Sequence, residues 1–275
     1  MLHVFVSPTD FVSMCVHAFL AGATLQRFLV ARKFEVEEAF KMLMTYVHWR
    51  LSYPENAVKQ EEIRASLDAR KVYVGKHTDR AGHIYIVVRL FSLLFSSFSS
   101  GSLTSVPSFS SCLLLHSHPP PTIRKIVVRK HKKAIDIEET KKMILYTLDK
   151  VISTYLTGKK SMDKMTCIID LQSISWENLD GEALKVILQF LQNYFPERLA
   201  LMVLWQPPTI FWIVYKMVVP FVDEKTRSKI VMAYNTKDLT KSFNANRLPT
   251  SIGGSGTEES LFIPIETLTR KDIEY

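Results

Sequence analysis

Two short runs, MTCIIDLQSI (165–174) and RLALMVLW (198–205), constrain the fold more than anything else in the chain. Each is apolar almost without interruption and shorter than a buried helix. An apolar stretch that does not alternate is a strand covered on both faces, the habit of parallel sheets. Parallel neighbours need a crossover between them, and GEALKVILQFLQNYF (181–195) has the helical pattern to supply it. KVYVGKHTDRAGHIYIVVR adds a strand, a turn from Asp79 to Gly82 and a second strand, and IVMAY adds another. The predicted class is α/β, with a mixed, largely parallel sheet flanked by helices.

The N-terminal third is helical by pattern. Over residues 24–50, Val36, Ala39, Phe40, Leu43, Tyr46 and Val47 recur at three- and four-residue steps and predict one apolar stripe. Glu35, Glu37 and Glu38 fall in the first turn of that helix, where the macrodipole favours negative charge. A shorter helix, LQRFLVARK, precedes it, and its end gathers Arg27, Arg32 and Lys33. Compensation of the helix dipole is the plain reading of that basic cluster. Residues 137–152 predict a further amphipathic helix, with Ile144, Leu145, Leu148 and Val151 on one side.

Residues 90–123 break the pattern. No Lys, Arg, Asp or Glu occurs there, and Ser, Leu, Phe and Pro dominate without helical or strand period. Those residue types share pyrimidine-rich codons, so the segment reads as a low-complexity insert of the kind a translated intron leaves; a membrane-touching loop is the alternative. Residues 1–22 form an atypical N-terminus that only loosely imitates a signal peptide, lacking a basic start and containing Asp10. Residues 255–275 read as a tail.

Several chemistries find no support. No nucleophile elbow, phosphate-binding loop or HExxH occurs. Cys15, Cys112 and Cys167 are too scattered for a zinc knuckle or a disulfide framework. Asp170, on a strand, is the best isolated carboxylate for catalysis, but no partner is identifiable by spacing, and a structural Asp is the plainer reading. The excess of 35 basic over 27 acidic residues, +8 overall, suits an anionic surface without naming one. Aromatics interleaved with basic residues on exposed strands, which RNA binding would need, are missing. No apolar run reaches the roughly 18 residues of a membrane span.

Residues 208–222, PTIFWIVYKMVVPFV, look helical and apolar on nearly every face. A helix of that kind is a core helix or the wall of an apolar cavity. The residues around it carry a pattern. TLQRFLVARKFEVEEAFKMLMTYVHWR, IIDLQSI, YFPERLA, FWIVYKMVVPFVDEKTRSKI and LPTSIGG follow one another in order between residues 24 and 254. Together they resemble the CRAL-TRIO lipid-binding family, in its phosphatidylinositol-transfer branch.

That resemblance implies a helical module at 23–70 and a lipid-binding domain at 71–254, interrupted by the insert. It implies a phospholipid of phosphatidylinositol type as ligand, with no cofactor and no metal, and transfer between membranes or presentation to lipid-modifying enzymes rather than catalysis. The headgroup residues would be Arg32, Glu197, Arg198, Thr226 and Lys229. A helical gate bearing Phe211, Val214, Tyr215 and Val218 would cover the acyl pocket. The expected setting is a monomer in the cytoplasm, touching membranes transiently and binding no nucleic acid. A carrier of another small hydrophobe, such as a sterol, tocopherol or retinoid, is the alternative. Two acyl chains take roughly thirty methylenes out of water, on the order of 25 kcal/mol at about 0.8 per CH₂. A bilayer offers nearly the same gain, so discrimination must come from the headgroup, where a fixed cation could hold phosphate.

Two departures stand out. The family's D-x-x-G-R-P turn is DRAGHIY here, and the Ser-x-Thr that contacts choline phosphate in the founding transfer protein is Met165 and Cys167. The second change argues against phosphatidylcholine and leaves the inositol lipid open.

Overall fold

Val72–Thr78 (β1) and Ile84–Arg89 (β2) pair antiparallel about the Asp79–Gly82 turn, and β2 opens the parallel half of a six-stranded sheet. The computed structural model describes residues 22–89, 137–156, 163–172, 174 and 180–273. The readings made of residues 1–21 and of the insert at 90–123 lie outside them. Met165–Asp170 (β3), Leu199–Trp205 (β4) and Ile230–Ala233 (β5) follow β2 in parallel, and Phe262–Pro264 (β6) closes the other edge against β1. The order is β5-β4-β3-β2-β1-β6. This is the mixed, largely parallel sheet expected.

The strand β6 corrects the reading of 255–275 as a tail. Glu258–Leu261 forms a short helix, β6 pairs with Tyr73, Val74 and Gly75 of β1, and Ile265, Leu268 and Ile273 are buried behind it. Three strand residues ending in a proline carry no legible period, and Pro is at home on an edge.

Ahead of the sheet, Gly22–Ala31 (α1) and Val36–Ser52 (α2) form an antiparallel helical lead, followed by the short Arg64–Asp68 (α3). Lys33 and Phe34 take left-handed backbone angles (φ 52° and 67°), and the Phe34 N–H donates to the Leu29 carbonyl, so the A-R-K-F stretch is the reversal between α1 and α2. The stripe on α2 is narrower than its periodicity suggests. Ala39, Met42 and Val47 are buried, whereas Val36 and Phe40 stay open to solvent near that reversal.

Ile137–Tyr155 (α4) and Gly181–Tyr194 (α5) lie on one face of the sheet; α4 buries Met143, Leu145, Leu148 and Val151 against β1–β3. Met165 and Cys167 are buried in that same core, and burial pushes the Cys167 thiol up to about 12, which makes it chemically inert. The opposite face is sealed by Phe243, Leu248, Ile252 and Leu261 over Tyr85, Ile168, Val203 and Trp205. Gly75 is required there: a Cβ at that position would lie 2.1 Å from the Tyr85 ring, which crosses β1 to donate its hydroxyl to the Arg247 carbonyl.

The lead is clamped to the domain by an ion pair. Arg50 of α2 donates to both carboxylate oxygens of Asp149 on α4, at 2.6 and 3.0 Å, and both side chains are buried. Burial opposes that charge, but the Asp149 hydrogen bonds outweigh it and hold the guanidinium above its ordinary pKa. Beside the pair, Trp49 stacks on Tyr194 of α5 with centroids 4.2 Å apart.

Candidate functional site

The apolar helix of the sequence is Phe211–Val218 (α6), continued by a 3₁₀ turn over Val219–Phe221 and shorter than the 208–222 expected. Phe211 is buried against Leu171, Ile174 and Leu204, with Tyr215 packed beside them; Val214 is buried too, and Tyr215 and Val218 are half-buried. Its other face is open: Trp212, Ile213, Met217 and Phe221 are exposed. The 3₁₀ turn is held to α5 by Lys185, whose ammonium sits 4.1 Å from the Phe221 ring centre, and by Gln192, which donates to the Phe221 carbonyl at 3.2 Å.

Beneath α6 the sheet is incompletely covered. Ile169 on β3, Met202 on β4, and Ile230 and Met232 on β5 face the helix, yet all four are only half-buried. Ile230 and Met232 lie on the edge strand β5, but Ile169 and Met202 are on the interior strands β3 and β4, where a filled core would bury such side chains.

A charged cluster lies at the N-terminal ends of the same strands. Glu197, immediately before β4, reaches Lys225 at 2.7 Å, Lys164 at 3.8 Å and Lys229 at 3.9 Å. Its carboxylate is largely withdrawn from water and faces three lysines, while Asp223 acts on Lys229 as a second anion, which leaves one positive charge in excess. Lys229 also donates to the Leu199 carbonyl at 2.9 Å; burial lowers its pKa and Glu197 works against that shift. The surplus of positive charge here is a local feature that an anionic group could complete.

The expected headgroup residues divide among three places. Glu197 and Lys229 meet in the cluster. Thr226 is one residue from Lys225, on the one-turn helix Glu224–Arg227 (α7), where its backbone N–H donates to the capping Asp223 at 2.8 Å. Arg198 turns the other way: it donates to the Asp163 carbonyl at 3.1 Å and lines a cavity next to the helical lead. The turn between the two depends on Glu197 holding a left-handed conformation (φ 58°), a local cost of roughly 1–2 kcal/mol for a residue with a Cβ. Arg32 follows α1 in the reversal, and among the described residues no hydrogen bond or ion pair joins it to Glu197, Thr226 or Lys229.

Lys225 and Lys164 were not singled out in the sequence. Lys225 was legible, since it stands four residues before Lys229 in DEKTRSK and one turn of helix places the two together. Lys164 carries no local signal. Asp170 accepts from the Gln172 N–H at 3.1 Å and burial raises its pKa, with Arg89 opposing; the structural reading suits it. Among the described residues no cluster of His, Cys, Asp and Glu could hold a metal, and no helix is long and apolar enough to cross a membrane.

Comparisons with known proteins give the family. The CRAL/TRIO domain model matches residues 69–254, and the CRAL/TRIO N-terminal domain model matches residues 15–44. A CRAL-TRIO domain-containing protein of Saccharomyces cerevisiae is 25% identical over 249 residues, 86% of this chain and 71% of that protein. The phosphatidylinositol transfer protein CSR1 of Eremothecium gossypii is 25% identical over 233 residues, 84% of this chain and 46% of its own. The phosphatidylinositol/phosphatidylcholine transfer protein SFH4 of Arabidopsis thaliana is 25% identical over 239 residues, 84% of this chain and 35% of its own. The chain thus spans less than half the length of those two transfer proteins. Among solved structures, Sfh5 superposes with a TM-score of 0.57 at 16% identity, over 83% of this chain and 71% of that one, and so shares the fold. With a family model covering most of its length, the chain belongs to the CRAL/TRIO family.

Proposed function

We propose that this chain binds one phospholipid of phosphatidylinositol type and transfers it between membranes or presents it to lipid-modifying enzymes, without catalysing a reaction and without a cofactor. The acyl chains would lie between α6 and the half-covered strands β3–β5. The headgroup phosphate would sit at the strand N-termini, with Lys229 as its anchor and Glu197 accepting from inositol hydroxyls. Arg32, Arg198 and Thr226 belong to the same proposal by resemblance, and of these Thr226 stands nearest the cluster. The observation that carries the reading is the adjacency of a half-covered apolar floor to a cluster of three lysines around Glu197. Two relatives named for phosphatidylinositol transfer support it. A neutral sterol or retinoid would leave the surplus cations unanswered, which favours a phosphate-bearing guest.

The test is extraction of phosphatidylinositol from vesicles by the purified full chain. Lys229→Ala should reduce transfer by about tenfold or more, the loss of one charge-assisted contact worth ~1.5 kcal/mol. Its thermal midpoint should stay within a few degrees of the parent. Unchanged transfer would remove Lys229 from the site, and sterol transfer in place of phosphatidylinositol transfer would replace the lipid.

A further inference from the structure

Ser228 stands where the Glu197 cluster meets the surface. It caps the one-turn helix α7, and its hydroxyl donates to the Lys225 carbonyl at 2.8 Å. Ser228 is exposed, and in Lys225-Thr226-Arg227-Ser228-Lys229 it has a cation three residues before it and one on each side. Among the described residues no other exposed serine has a basic neighbour on both sides. The segment is also easy to open. A four-residue helix has little stability of its own, and this one is secured by Asp223, which accepts from the Thr226 N–H at 2.8 Å. Beyond it the chain enters β5, an edge strand with a single neighbour in the sheet. An exposed hydroxyl on backbone that can be drawn out locally is what a protein kinase needs of its substrate.

Charge decides what a phosphate there would do. Lys164, Lys225 and Lys229 face Glu197, and Asp223 acts on Lys229, so the cluster keeps one positive charge in excess. A phosphoserine carries about −1.5 to −2, enough to cancel that excess and reverse its sign. Arg227 is turned to the Val219 and Val222 carbonyls. Lys225, one turn before Ser228, has the spacing at which helical side chains meet, and it is the partner a phosphate would reach first.

We propose that Ser228 is a phosphorylation site for a kinase that selects basic flanks, and that its phosphate pairs with Lys225 and closes the neighbouring cluster to a lipid phosphate. The γ-phosphoryl group of ATP passes to Ser228 Oγ: the bond from that oxygen to phosphorus forms as the bridging bond to the β-phosphate breaks, ADP leaves, and the hydroxyl proton goes to the catalytic carboxylate of the kinase. The modification stands on the surface geometry; only its consequence rests on the lipid reading above.

The experiment treats the purified full chain with magnesium ATP and the catalytic fragment of protein kinase C, which takes basic flanks, and locates the phosphate by peptide mass spectrometry. Incorporation at residue 228 is expected, and Ser228→Ala should lose it while keeping the parent's rate of phosphatidylinositol transfer. A chain made with phosphoserine encoded at residue 228 should transfer phosphatidylinositol about tenfold more slowly than the unmodified chain. Phosphorus NMR titration of that chain reads the pairing without lipid: the second ionisation should fall below its ordinary value of about 6, and Lys225→Ala should move it back. No incorporation at residue 228, an unshifted titration, or a phosphoserine chain that transfers as fast as the unmodified one overturns the proposal. Should the unmodified chain transfer no phosphatidylinositol, the lipid reading fails by itself, and incorporation and titration still decide the site.

Discussion

Asp79 shows how one side chain can set a turn. Its Oδ1 accepts from the backbone N–H groups of Ala81 at 2.9 Å and His83 at 2.8 Å, and its Oδ2 accepts from the Thr166 hydroxyl at 2.7 Å while facing His83 Nδ1 at 3.2 Å. Where the family pattern has Arg-Pro after the turn glycine, this chain has His83 and Ile84, and His83 turns its ring to the same carboxylate. Burial alone would raise the pKa of Asp79, but the hydrogen bonds from His83 and Thr166 win and hold it below the usual carboxylate range. A depressed folded-state value means that the stabilisation is complete above the ordinary carboxylate pKa and is lost as pH falls through the folded one. Asp79→Asn should therefore cost about 1–3 kcal/mol at neutral pH in urea titrations. The same variant should flatten the stability loss as pH falls below the ordinary carboxylate range. An unaltered acid branch would show that Asp79 is not the titrating group.

At the scale of elements, α6 behaves as a half-buried cover. Phe211 and Tyr215 pack it on the sheet, while Trp212, Ile213, Met217 and Phe221 form an outer apolar face beside Lys216. Sequence periodicity could not divide these faces, since the helix is apolar all round and the partition depends on where the sheet lies. The strands were easier to read: β3 and β4 are continuous apolar runs because both faces of an interior parallel strand are covered. Lead helix α2 was read correctly as a helix, but Val36 and Phe40 fall outside its packed stripe because the left-handed residues Lys33 and Phe34 turn the chain there. If the outer face of α6 meets the bilayer, the double substitution Trp212→Ala with Phe221→Ala should lower co-sedimentation with phospholipid vesicles by roughly tenfold, given 1–2 kcal/mol of partial burial. The thermal midpoint should hardly move. Equal co-sedimentation would place the membrane contact elsewhere.

For the molecule as a whole, three groups of contacts tie distant parts of the sequence together. The Arg50–Asp149 pair and the Trp49–Tyr194 stack join the lead to the domain, and β6 brings the C-terminal segment into the sheet beside β1. The ordered motifs made the fold class legible, and two of the residues they grouped, Glu197 and Lys229, meet in one charged cluster because both precede strands that become neighbours. They did not reveal Lys164, the division of Glu197 from Arg198, or the approach of Arg27 to Arg198, since each is created by tertiary structure between residues with no shared local pattern. Everything functional turns on whether the space between α6 and the half-covered strands takes up a lipid. Native mass spectrometry of the purified full chain, before and after incubation with phosphatidylinositol vesicles, addresses this directly. One phospholipid mass per chain is expected, shifting to that of phosphatidylinositol after incubation; a chain that carries no lipid in either state would rule out a lipid beneath α6.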